Sequence, residues 1–149
     1  MHGKTNLSTR LYFNLNTTTM KIAYTIIRFL LGALFLFSVT MMVLIALKVT
    51  SMPETPEGPL STFNKGLMAS IYLMPLLKLT ELLCAIAFLT NRYVVLASVV
   101  ICPITINIFM VHAFIAHDGI PVGIFVLFGN LFLAYVNREH YKGLFVAKA

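Results

Sequence analysis

Two formal charges three residues apart lie inside one apolar run. Lys78 and Glu81 belong to the stretch PLLKLTE at 75–81, in the middle of a run from about 67 to 89. That run is long enough to cross a bilayer. Charges at such a depth are costly unless they are paired or reach water. Other segments must therefore surround them. The predicted architecture is a small bundle of membrane spans with a charged interior.

The rest of the chain supplies those segments. Of its 149 residues, 59% are hydrophobic and 11% are charged, where a soluble domain has about 25% charged residues. The charges cluster before Ala23, between Lys48 and Lys65, at Arg92 and after Val136. This is the pattern of one polytopic membrane domain. A net charge of +6 would suggest nucleic acid for a soluble protein. Here the basic residues sit at span ends, and neither a long basic helix nor zinc-finger spacing is present, so no nucleic-acid partner is expected. Cys84 and Cys102 lie in apolar runs without a C-x-x-C and read as inert thiols.

Four spans follow in order. The first, about 22–47, is too long for the apolar core of a cleaved signal peptide and reads as retained. Residues 1–20 form a polar, loosely ordered tail before a membrane domain at 21–145. Their two N-x-[ST] matches, at Asn6 and Asn16, are taken as chance. Within span one, Arg28, Gly32, Phe35 and Val39 recur at helical spacing. Pro53, Pro56, Gly58 and Pro59 then forbid a helix. Leu60 to Ala69 is expected to form a short interfacial helix, with Ser61 or Thr62 as its N-cap. Span two, about 67–89, contains Pro75, which is expected to bend the helix just before Lys78. A short turn at Asn91-Arg92 makes spans two and three antiparallel neighbours. Span three, about 93–115, carries Pro103, Thr105, Asn107 and His112. A tight turn at 117–119 leads to span four, about 120–136, with Gly123, Gly129 and Asn130.

Basic residues orient the bundle. Lys4, Arg10, Lys21, Arg92, Arg138, Lys142 and Lys148 fall on one side, and Lys48 and Lys65 on the other. The positive-inside rule then predicts both termini in the cytoplasm. Tyr72, Tyr93, Tyr135 and Tyr141 suit the interfaces.

Counting depth at about 1.5 Å per residue from the cytoplasmic ends groups the polar residues in two layers. Arg28, Glu81 and Asn130 form the lower layer, and Lys78 with Asn107 the upper. The expectation is an interhelical ion pair between Arg28 and Glu81, with Lys78 hydrogen-bonded toward Asn107. The bland alternative is that the buried charges fix helix register and do nothing else. His112 is a secondary candidate. With His117 and Asp118 it could bind a metal only if the turn folded the two histidines together, and no metal site is expected.

The segments RFLLG at 28–32, MPETPE at 52–57, YLMPLLKLTE at 72–81, PITIN at 103–107 with His112, and NLFLAY at 130–135 together resemble the DoxX and DoxX-like family of small bacterial inner-membrane proteins. Their order and spacing over about residues 21–145 carry the likeness. The resemblance implies an all-α bundle of four transmembrane helices. It also implies a redox-accessory role tied to oxidative stress, with Arg28, Lys78, Glu81, Asn107 and His112 as the positions to watch. Similar proteins tend to carry an Asn-Lys pair in span one, where this chain has Ser38 to Val43. Quinone is the one cofactor the likeness brings in. Its electrons would come from a membrane or soluble partner protein, since no flavin fold or metal set is present. A structural or assembly subunit is the alternative, and a small carrier a weaker one that would need a homo-oligomer.

Overall fold

In a computed structural model, residues 7–51 and 56–145 are described, with side chains over 18–51 and 56–141. The proline-rich 52–55 and the ends at 1–6 and 146–149 lie outside them, so the rigid segment expected at 52–57 is described only at its end. Five α-helices follow in order: α1 Leu7–Ala46, α2 Pro59–Ala69, α3 Leu73–Thr90, α4 Val94–Phe114 and α5 Ile120–Val136. Short 3-10 segments at His117–Gly119 and Arg138–Phe145 flank α5. No strand occurs among the described residues. Four stretches are long and apolar enough to cross a membrane: Thr18–Ala46, Leu73–Thr90, Val94–Phe114 and His117–Val136. The chain reads as a multi-pass membrane protein.

Each spanning helix buries one narrow stripe. On α1 it is Arg28, Leu31, Gly32, Phe35 and Val39; on α3, Glu81, Cys84, Ala85 and Phe88. On α4 it is Val94, Ala97, Ser98, Ile101 and Thr105, and on α5 Gly123, Val126, Gly129, Asn130 and Leu133. These are steps of three and four, one face of a 3.6-residue helix. The opposite faces leave Phe29, Phe37, Leu83, Val99, Phe114 and Phe128 exposed. So much uncovered apolar surface suits lipid and not water.

The helices form a ring. The closest pairings are α4 with α5 and α1 with α3, and α3 with α4 and α1 with α5 complete it. Small residues set the close approaches. A Cβ on Gly32 would lie 2.9 Å from the Leu89 side chain, and one on Gly123 3.2 Å from the Phe109 backbone. Two turns close without glycine. Lys48 (φ 57°) and Asn91 (φ 56°) take left-handed conformations. Val49 N–H then reaches Leu44 O at 3.0 Å, and Arg92 N–H reaches Ala87 O at 3.1 Å. Each bond satisfies a carbonyl that the helix end would leave open.

Two expectations about span two are corrected. The helix does not run from 67. It breaks at Ser70–Tyr72, so α2 is a separate eleven-residue helix and α3 has eighteen residues. Pro75 is therefore the third residue of α3 and not an interior kink. In the first turn its missing N–H costs nothing, because that group has no helical partner. The start of α2 is also shifted. Gly58 precedes it and Pro59 occupies its first turn. Thr62 Oγ1 instead donates back to Gly58 O at 3.2 Å, and Ser61 is buried.

Candidate functional site

The charged residues divide between the two ends of the bundle. One end holds Tyr24, the α3–α4 turn and Asn137, and is called here the N-side. The other holds α2 and the 115–119 turn, and is called the α2-side. Arg28 and Asn130 belong to the N-side half. Lys78, Glu81, Asn107 and His112 belong to the α2-side.

Arg28 is buried, and its guanidinium donates to the carbonyls of Phe88 and Leu89 on the last turn of α3. These carbonyls end a helix whose last residue is Thr90, where orphan acceptors and the negative end of the helix dipole attract a cation. The expected Arg28–Glu81 pair is thus corrected. Among the described residues Glu81 pairs with Lys78 instead, Nζ to Oε2 at 2.8 Å. The reason is helix register. α1 and α3 run antiparallel, and Arg28 lies against Phe88 and Leu89, seven and eight residues beyond Glu81 on α3, while the α1 residue that reaches Glu81 is Ser38. At about 1.5 Å per residue, the two charges are separated by roughly 10 Å or more along the axis.

Ser38, ten residues after Arg28 on α1, completes the charged group. Lys78 Nζ donates to Ser38 Oγ at 2.8 Å, and Ser38 Oγ donates to Glu81 Oε2 at 3.1 Å. The ion pair and the hydroxyl form a closed triangle. The Glu81 side chain is 7% exposed and that of Lys78 22%. The Lys78–Asn107 bond is also corrected, because Ser38 and Glu81 take the ammonium. α3 lies closer along α1 than along α4, so α1 supplies the nearer oxygen.

The looser α3–α4 seam opens a crevice of about 170 Å³. Its apolar walls are Phe63 and Leu67 from α2, Met74 and Leu77 from α3, and Ile104, Ile108 and Val111 from α4. Lys78, Glu81, Asn107 and His112 provide its polar lining. Asn107 is exposed there rather than buried between helices. The His112 ring packs over Gly119 and Gly123, and its Nδ1 lies 3.1 Å from Ala116 O. A carbonyl can only accept, so Nδ1 carries the proton in this contact and Nε2 is left as an acceptor when the ring is neutral. Among the described residues no three His, Cys, Asp or Glu side chains gather as a metal site requires.

Asn130 sits apart from this group. Its Nδ2 donates to Ser98 O at 3.0 Å and joins α5 to α4. Beyond α5, the Tyr141 hydroxyl donates to Val95 O at 3.0 Å. Burial raises the Tyr141 phenol above its usual range; the Ser98 hydroxyl opposes this, and the Tyr24 phenol adds to it.

Sequence reasoning gave Glu81 to Arg28 and Lys78 to Asn107, although the i,i+3 spacing of Lys78 and Glu81 lets them touch, and it missed Ser38 as their partner. The signal was available: Ser38 is three residues beyond Phe35 on the stripe that begins at Arg28. The contribution of Phe63 and Leu67 was also missed, because α2 was read only as a lead into span two. In comparison with known protein families, curated proteins and solved structures, nothing matches this chain.

Proposed function

We propose that this chain is a DoxX-like redox-accessory subunit of a bacterial inner membrane, with both termini in the cytoplasm, and that its crevice receives a quinone head group. The crevice carries the reading: apolar walls from three helices surround an ammonium and a carboxylate on one rim. Such a mixture of apolar lining and a few convergent polar groups suits a ring bearing polar oxygens and an isoprenoid tail. The asymmetry of Lys and Arg supports the orientation, which puts the crevice in the outer half of the bilayer. Electrons come from a partner protein.

A second reading has its own support. Arg28 is spent on helix capping and Asn130 on a helix–helix bond, which are structural tasks. A bundle held this way can serve as an assembly subunit of a larger complex. Native mass spectrometry on protein extracted gently from its membrane separates the two. A stoichiometric quinone or quinol that co-purifies with the folded protein supports the quinone reading. A constant protein companion and no small molecule supports assembly and removes the quinone site.

A further inference from the structure

We infer that the crevice prefers the reduced, hydroxyl-bearing form of its ligand, a quinol, over the oxidised dicarbonyl. This rests on the quinone reading above and specifies which redox form the site holds.

The inference comes from the unused hydrogen-bonding capacity of the rim. An ammonium has three donors, and Lys78 directs two of them to Ser38 and Glu81. Both donors that reach Glu81 fall on Oε2. Oε1 receives none among the described residues. It is also not one of the sealed, unpartnered polar atoms among the described residues. Glu81 is otherwise buried and lines the crevice, so Oε1 opens there. The rim therefore offers one N–H donor beside one carboxylate acceptor.

A quinol hydroxyl answers both groups, donating to Oε1 and accepting from Lys78 Nζ. A quinone carbonyl has only lone pairs. It can accept from Lys78, but its oxygen then faces the carboxylate with no proton between them. Charge points the same way. Lys78 and Glu81 cancel at 2.8 Å, so the rim has no free cation to hold an anionic head group. Asn107, exposed in the same crevice, carries both a donor and an acceptor and can meet a second ring oxygen.

The test uses the full chain in lipid nanodiscs without air, titrated with decylubiquinol and with decylubiquinone. One added charge-assisted hydrogen bond predicts roughly tenfold tighter binding of the quinol. In Glu81→Gln the neutral amide presents a donor as well as an acceptor, and the preference falls to parity or reverses. Equal binding of the two forms by the wild type, or tighter binding of the quinone, overturns the inference and leaves the quinone reading standing. Binding of neither removes both. A folded Glu81→Gln variant that keeps the full quinol preference overturns the assignment to the carboxylate. If the variant does not fold, the wild-type ratio decides alone.

Discussion

Arg28 on α1 caps the carbonyl of Phe88 on α3, 60 positions further along the chain. The contact ties the first span to the end of the second, and it lies about two helical turns from the Lys78–Glu81 rim. Arg28 therefore holds the bundle together at a distance from the rim proposed to bind ligand. Replacing Arg28 by Met strips the Leu89 carbonyl of its donor, leaves the Phe88 carbonyl with only the Asn91 N–H at 3.4 Å, and is expected to cost about 1–3 kcal/mol. Thermal unfolding in detergent measures this, and ligand affinity at the crevice should stay within about twofold of the wild type if the ends are independent.

Removing one member of the Lys78–Glu81 pair should be worse than removing both. Lys78→Met strands a carboxylate in a largely apolar setting, at about 2–4 kcal/mol, while Lys78→Met with Glu81→Leu is expected near neutral. A double-mutant cycle by chemical unfolding gives the coupling directly. Additive losses would mean that the pair is not formed.

Glycines at two positions should respond with opposite signs. A Cβ on Gly32 meets Leu89 at 2.9 Å and Phe88 at 3.2 Å, whereas one on Gly66 meets nothing within 4 Å. Gly32→Ala therefore presses α1 off α3 and is expected to lose about 1–3 kcal/mol. Gly66→Ala reduces backbone freedom within α2 and is expected to gain about 0.5–1 kcal/mol. Paired melting curves check both, and the Gly66 variant reports whether α2 is folded in solution.

The segment after α5 should loosen in alkali. The Tyr141 phenol is raised above 10.0, mainly by burial. A group whose folded pKa lies above its unfolded value stabilises fully below the unfolded value and loses that contribution as pH rises through the folded one. Docking of Tyr141 on the Val95 carbonyl is thus complete at neutral pH and weakens from about pH 10 upward. Ultraviolet titration of phenolate should show a late component that is absent in Tyr141→Phe.

Most of the frame was legible in the sequence. The four spans, the short helix before α3 and the Arg28–Gly32–Phe35–Val39 stripe all follow from apolar periodicity and from proline and polar breaks. The site was less legible. Depth counted from assumed span ends suggested Arg28 with Glu81, but the register of α1 against α3 sets Arg28 beside Phe88 and Leu89 and brings Ser38 to the level of Glu81. Pro75 marked a helix start and read as a kink, since the break at Ser70–Tyr72 carries no proline or glycine. Ser38 looked like the loss of a polar pair at 38–43. In three dimensions its hydroxyl bonds both members of the Lys78–Glu81 pair.

The spacing of that pair also bears on how the protein enters its membrane. Lys78 and Glu81 belong to one helix and neutralise each other within a single turn, so α3 can leave the insertion machinery as a segment without net charge and without waiting for neighbours. Arg28 differs. Its acceptors do not exist until residues 88 and 89 have been synthesised and inserted. Until then its long side chain must reach for the water and phosphates at its own end of α1. The first span is thus held unfinished by one cation. Arrival of the second supplies the carbonyls that draw the two helices together.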